Sequence, residues 1–136
     1  MYKTKVFKNP GGFPSLLGLK FHEYQNGASR CSLKITGKHK NPNKVVHGGV
    51  LFSLADTGMG AALASLLKDN ELCASIEIKM NFLLPVSGGT ITANTRVVHK
   101  GSRIAVLESE IINKEGARIA VATGSFFIFL APKNEK

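Results

Sequence analysis

His47-Gly48-Gly49-Val50-Leu51-Phe52-Ser53-Leu54-Ala55-Asp56-Thr57-Gly58-Met59-Gly60, continuing to Leu67, is the stretch on which the fold turns. Its composition predicts a helix from about Gly49 to Leu67, ended by Lys68-Asp69-Asn70. Such a helix is apolar on every side, and a helix of that kind is buried rather than laid on a surface. Its one formal charge at neutral pH is Asp56. A carboxylate is rarely fully buried without a partner, yet Phe52, Ser53, Met59 and Gly60, one turn away on either side, offer no cation. A lone acid so placed is a candidate for chemistry.

Outward from the helix the pattern is that of strands. Segments 17–25 and 28–36 precede it, joined by a turn at Asn26-Gly27. In the second, Cys31, Leu33 and Ile35 alternate with Arg30, Ser32 and Lys34, the period of a half-buried strand. Gly37 to Val46 reads as a basic loop. Four strands follow: 73–83, 89–99, 103–112 and about 117–130. Lys100-Gly101-Ser102 separates the second from the third, and Asn113-Lys114-Glu115-Gly116 makes a hairpin turn into the last. In 73–83 the alternation sets Ile76, Ile78, Met80 and Phe82 on one face and Ser75, Glu77, Lys79 and Asn81 on the other. Residues 1–16 read as a loop-like extension or short helix broken at Pro10-Gly11-Gly12. Six strands without crossover helices should be largely antiparallel. The sheet must curl around the greasy helix, or a second subunit must cover what it leaves open.

The chain has 136 residues, the length of one domain, 1–136, with 43% hydrophobic and 20% charged residues. Cys31 and Cys73 form neither a metal motif nor a disulfide framework and read as free thiols of a reducing, cytoplasmic compartment. The first residues lack the apolar core of a signal peptide. Val50 to Leu67 could just span a bilayer by length, but a central acid argues against it. The net charge is +9. Lys34, Lys38, Lys40 and Lys44 cluster before the helix, and Arg96, Lys100 and Arg103 cluster beside His99. Such patches suit a polyanion, a nucleic acid or a phosphate-bearing cofactor, as well as plain solvent. With no Trp and two Tyr, and no exposed basic helix, a nucleic-acid partner is disfavoured.

Free N–H groups at a helix N-terminus can hold developing negative charge, and Gly48 and Gly49 let another molecule approach that backbone. Asp56 lies seven residues beyond Gly49, about 10 Å along the axis. That is too far for both to act on one carbonyl, so if both are catalytic they belong to two chains of a dimer. His47 reads mainly as a ligand of the loop presenting the glycines, and His22, His39 and His99 as solvated. No HExxH, no GxSxG, no phosphate-cradling glycine signature and no metal-spaced cluster is present, so no metal or cofactor is expected.

Asn41-Pro42-Asn43-Lys44-Val45-Val46-His47-Gly48-Gly49, Leu54-Ala55-Asp56-Thr57 and Ser75-Ile76-Glu77-Ile78-Lys79-Met80-Asn81-Phe82-Leu83-Leu84-Pro85-Val86 resemble the hotdog-fold acyl-CoA thioesterases of the phenylacetate-pathway (PaaI-like) type. The likeness extends through the Gly101-Ser102-Arg103 turn to the last hairpin arm. It implies an α+β hotdog fold, a curled antiparallel sheet around one long central helix, in a homodimer or a homotetramer built as a dimer of dimers. It also implies roles. Asp56 matches the catalytic acid, and Gly49, with Gly48 beside it, the backbone donor. Asn41 matches an asparagine that holds the thioester oxygen, and Ser75 a hydroxyl that orients water. His47, Gly48, Lys100, Ser102 and Arg103 fall at substrate-binding positions, the last three at a turn that would touch coenzyme A phosphates. Leu84 departs from the family, many members carrying arginine there.

The expectation is therefore a hydrolase of aromatic or medium- to long-chain acyl-CoA, coenzyme A being part of the substrate rather than a cofactor. The alternative is a non-catalytic acyl-CoA-binding or sensing hotdog protein. The joint presence of Asp56, Asn41 and the glycines argues against that alternative.

Overall fold

The computed structural model describes residues 11–133; the expected extension lies outside the described residues except for its last part. That part is a short helix α1 (Gly12–Leu17), capped by Gly18 in the left-handed region at φ 84°. The first strand accordingly starts later than expected. Six strands follow in one antiparallel sheet: β1 (Lys20–Gln25), β2 (Ala28–Lys34), β3 (Glu71–Phe82), β4 (Thr90–Lys100), β5 (Ile104–Ile112) and β6 (Arg118–Leu130). Their order is β1-β2-β4-β5-β6-β3. The long helix α2 (Gly48–Ala64) enters between β2 and β3, and the turn of residues 65–67 continues it no further.

Local sequence explains the turns. Asn26 and Gly27 both take positive φ, 53° and 78°, the conformation a two-residue hairpin demands. Asn113 Oδ1 accepts the N–H groups of Glu115 and Ala117 and so closes the β5–β6 turn.

The sheet curls over α2, and Leu54, Met59 and Leu63 are fully buried beneath it. Each such side chain contributes about 1.5–3 kcal/mol by leaving water. Small residues bring helix and sheet together. The Ser29 hydroxyl donates to the Gly58 carbonyl over 2.6 Å, and a Cβ on Gly58 would stand 3.0 Å from Thr95 Oγ1. Not every side of α2 is covered. Gly49, Phe52, Ser53, Asp56, Thr57 and Gly60 form a stripe that stays at least partly open, as a sheet covering only part of the helix requires.

β3 departs from clean alternation. Its pairing with β6 slips between Ser75 and Glu77, a bulge that leaves Ile76 55% exposed. One extra residue reverses the facing of everything before it. Ser75 therefore pairs with buried Phe126, and Cys73 with buried Ile128, on the helix side. Ile78, Met80 and Phe82 pair with Gly124, Ala122 and Ala120 on the same side. The expected polar-face position of Ser75 is thus overturned, as is the apolar-face position of Ile76.

No helix among the described residues is long and apolar enough to cross a membrane. Neither Cys31 nor Cys73 is in a disulfide; burial pushes the Cys31 thiol up to about 12.

Candidate active site

The start of α2 is held by two histidines, His39 and His47, joined through their backbones. His39, expected in solvent, is 1% exposed. Its Nδ1 accepts the Thr36 N–H at 2.9 Å, and its Nε2 lies 2.7 Å from the Leu17 carbonyl, to which it donates. Lys38 Nζ donates to the neighbouring Leu16 carbonyl, so α1 is tied to the loop before α2. The His39 carbonyl in turn accepts the His47 N–H at 2.8 Å. His47 caps the helix, its Nδ1 accepting the Gly49 N–H at 2.8 Å.

That last bond corrects the expectation for Gly49. Its N–H is already engaged, and the helix-mouth donor left without a partner among the described residues is that of Gly48. Gly48 is pinned by a neighbour as well as by chemistry, because a Cβ there would meet Phe82 Cε1 at 3.1 Å. Beside it an apolar recess of about 320 Å³ is lined by Val46, Leu51, Phe82, Leu84 and Val86. The loop 41–46 folds back on itself, with Asn41 N–H donating to the Val45 carbonyl. Asn41 Oδ1 accepts the Asn43 and Val45 N–H groups at 2.9 and 3.4 Å, which orients its amide plane and leaves the Nδ2 hydrogens to donate elsewhere.

Asp56 lies two turns further along the open stripe. The Ser75 hydroxyl, turned inward by the bulge, donates to its carboxylate. Burial raises the Asp56 pKa above the ordinary carboxylate value, and the Ser75 hydrogen bond opposes that rise. Ser75 and Asp56 thus meet, which alternation alone did not allow. The rise of 1.5 Å per residue puts Asp56 about 12 Å from Gly48 along the axis. One chain does not bring donor and acid together.

The basic turn is exposed, with Lys100, Ser102 and Arg103 at the β4–β5 hairpin. Lys100, Ala105, Phe126 and Ser75 lie opposite one another on successive strands. Three strand spacings set Lys100 about 14 Å from Ser75, at the same end of the sheet. Arg96, expected in that cluster, pairs instead with Glu108 across the sheet. His99 is exposed, and His22 Nε2 lies 2.6 Å from Ser32 Oγ.

Comparison with known proteins identifies the family and the fold. Residues 43–120 match the sequence profile of the thioesterase superfamily. The chain is 30% identical over 109 residues to acyl-coenzyme A thioesterase PaaI of Escherichia coli, spanning 79% of this chain and 76% of that one. It is 26% identical to the 1,4-dihydroxy-2-naphthoyl-CoA hydrolase of Listeria monocytogenes, spanning 76% of this chain and 84% of that one. The solved structure of the E. coli PaaI protein from the phenylacetic acid degradation operon superposes with a TM-score of 0.87 at 25% identity, covering 96% of this chain and 93% of that one.

Proposed function

The chain is a PaaI-like thioester hydrolase of the thioesterase superfamily, and on that premise we propose that it cleaves an aromatic or medium- to long-chain acyl-CoA to the free acid and coenzyme A. The observation that carries this reading is the pairing of Ser75 with a part-buried Asp56 whose pKa is raised, on a helix whose mouth keeps a free Gly48 N–H. Perturbed acids in such settings are candidates for acid–base work.

The Gly48 N–H and the Asn41 Nδ2 donors polarise the thioester carbonyl, the Gly49 N–H being spent on holding His47. Asp56, oriented by Ser75, takes a proton from water as the water oxygen bonds to the carbonyl carbon; the C–S bond then breaks and the thiolate leaves. Direct attack by the carboxylate, with an anhydride then hydrolysed, uses the same residues. The apolar recess beside Gly48 receives the acyl group, and Lys100, Ser102 and Arg103 face the coenzyme A phosphates.

The 12 Å separation calls for two chains in each site. β3 is the sheet edge best able to supply the second. It is twelve residues long, largely exposed, and pairs with β6 on one side only, so its outer backbone groups are a template for another strand. A two-fold axis on that edge extends the sheet and lets a second copy cover the open stripe of α2. The same assembly, doubled, gives a tetramer.

Release of coenzyme A thiol, followed with a thiol reagent over a panel of acyl-CoAs, tests the reading. A rate equal to the uncatalysed background on every aromatic and C4–C16 thioester would favour the non-catalytic binding protein instead.

A further inference from the structure

We infer that His39 is a positioning residue of the site: its buried imidazole anchors the limb of loop that carries Asn41 and so sets where the Asn41 amide meets the thioester oxygen. The inference rests on the thioesterase reading and on the place of Asn41 in it.

The loop before α2 is a small arm with two limbs. Lys40 and Val46 form an antiparallel bridge, the His47 N–H donates to the His39 carbonyl, and the Asn41 N–H donates to the Val45 carbonyl. Residues 39–41 are one limb, 45–47 the other, and Pro42, Asn43 and Lys44 the tip, which Lys44 turns at φ 63°. Among the described residues, every hydrogen bond of Asn41 goes to Asn43, Lys44 or Val45. Those bonds orient its amide within the arm and leave open where the arm stands. That is decided at the base of each limb.

The second limb is held twice: the Val46 N–H donates to the Val86 carbonyl at 2.8 Å, and His47 is the cap of α2. The first limb has the His39 ring, which is 1% exposed. A neutral imidazole has one donor and one acceptor to place, and both are used. Nδ1 accepts the Thr36 N–H at 2.9 Å, and Nε2 donates to the Leu17 carbonyl at 2.7 Å. Thr36 follows directly on Ile35, a core residue whose N–H is bonded to the Gly89 carbonyl, and Leu17 ends α1. The ring thus fixes the limb to two separate elements, two residues from Asn41. The limb's other side-chain tie, Lys38 Nζ to the Leu16 carbonyl, is made by an exposed and flexible side chain. Without the imidazole the two limbs stay joined to each other and pivot together about the Val46 anchor. Asn41 sits beyond that pivot. A displacement of about 1 Å at an oxyanion donor is enough to cost much of its effect.

His39→Met fills the space with an adaptable apolar chain and makes neither bond. His39→Gln keeps a donor for the Leu17 carbonyl and gives up the Thr36 bond. Each is made alone and on an Asn41→Ala background, and kcat and KM are measured on the best acyl-CoA of the panel, with thermal unfolding in parallel. Asn41→Ala should lose roughly 10²-fold in kcat, the scale of one lost oxyanion donor. His39→Met should melt lower, keep its KM within a few-fold and lose roughly 10-fold in kcat through misplacement, with His39→Gln between it and wild type. The Asn41→Ala background separates an anchor of Asn41 from a histidine that only stabilises the fold. If His39 acts through Asn41, adding His39→Met there lowers kcat no further, whereas independent effects multiply. Multiplied losses, or wild-type kcat in a folded His39→Met protein, overturn the inference. If His39→Met does not fold, His39→Gln is read the same way: a few-fold loss that disappears on the Asn41→Ala background supports the anchor, and wild-type kcat or a multiplied loss overturns it. Absence of turnover in the wild type would instead strike the thioesterase reading, and amide hydrogen exchange then decides the anchor. Faster exchange at Asn41, Asn43 and Val45 in the histidine variant, with α2 unchanged, supports it; unchanged exchange overturns it.

Discussion

Two inactive variants, mixed, measure whether the site is shared between chains. Asp56→Asn keeps the helix mouth and loses the acid; Gly48→Val keeps the acid and blocks the mouth. The second should fold, because the added Cβ presses only on the outer rim of Phe82, 3.1 Å away at Cε1, and that ring is 57% exposed and free to swing out. Eight residues of helix separate the two positions. At 1.5 Å per residue that is about 12 Å, whereas a base and an oxyanion donor serving one carbonyl must each stand within about 3 Å of neighbouring reacting atoms. In a two-fold dimer each site therefore takes its mouth from one chain and its acid from the other. Free exchange at equal concentrations makes about half the dimers hybrid, and each hybrid has one site with both intact parts and one with neither. Recovered activity should be about one quarter of wild type per chain. The assay is thiol release, before and after exchange in mild denaturant, with hybrid formation followed by native mass spectrometry of a mass-tagged variant. Activity that stays at background while hybrids are seen would falsify the shared site and return both groups to one chain.

The remaining predictions use the same molecule. Asp56→Asn should lower kcat roughly 10²-fold or more, yet raise thermal stability at neutral pH: a carboxyl whose folded pKa lies above its unfolded value costs stability once pH rises through that folded value, and the gain should vanish below the ordinary carboxylate pKa. For the same reason the wild-type rate should fall on acidification through that raised pKa. Within α2, Gly60→Ala meets nothing within 4 Å in its own chain and, in the unassociated subunit, should gain about 1 kcal/mol from helix propensity. Gly58→Ala carries the same propensity gain but presses on Thr95 Oγ1 at 3.0 Å, which itself donates to Ser109, so urea unfolding at fixed protein concentration should place it about 1–3 kcal/mol below Gly60→Ala; equal stabilities would refute the close packing. Replacing Lys100 and Arg103 with Ser should raise KM for an acyl-CoA more than it lowers kcat, and should abolish the rise of KM with salt; an acyl thioester lacking the nucleotide should show neither effect, and an equal response from both substrates would mean that the turn only faces solvent.

The sequence and the structure agree where the signal is local. Alternation over 28–34, the Asn26-Gly27 turn and the run of small apolar residues after His47 each follow from neighbours in the chain. Asp56 was legible for the same reason, as one charge among apolar residues. What could not be read depends on register or on distant partners. Ile76 and Ile78 are both apolar and two apart, so nothing in their pattern betrays an extra residue between Ser75 and Glu77. Arg96 and Lys100 look like one cluster along the chain, but the β4–β5 pairing slips between Val97 and His99 and Arg96 finds Glu108 instead. His39 is buried by the Leu17 carbonyl, twenty-two residues away, to which no spacing rule points. The Thr36-x-x-His39 spacing did carry a trace of it, since it is that of a capping box with histidine in place of the usual glutamate. The Gly49 N–H was misassigned because its partner is a side chain only two residues back, which a count of helix-end donors overlooks.

The bulge in β3 sets what kind of change this strand can tolerate. Ile76 is half in solvent, and many side chains would fit there. Its removal would only straighten the strand, because Ser75 would still pair with Phe126 and Cys73 with Ile128 on the helix side; Ser75 would turn outward only if Ile76 were drawn into the regular ladder. The position is thus indifferent to spelling, and the facing of the Ser75 hydroxyl depends on Ile76 staying out of the ladder rather than on its identity. Among descendants of this sequence, divergence at residue 76, and even the loss of its codon, should leave Ser75 on the side of Asp56.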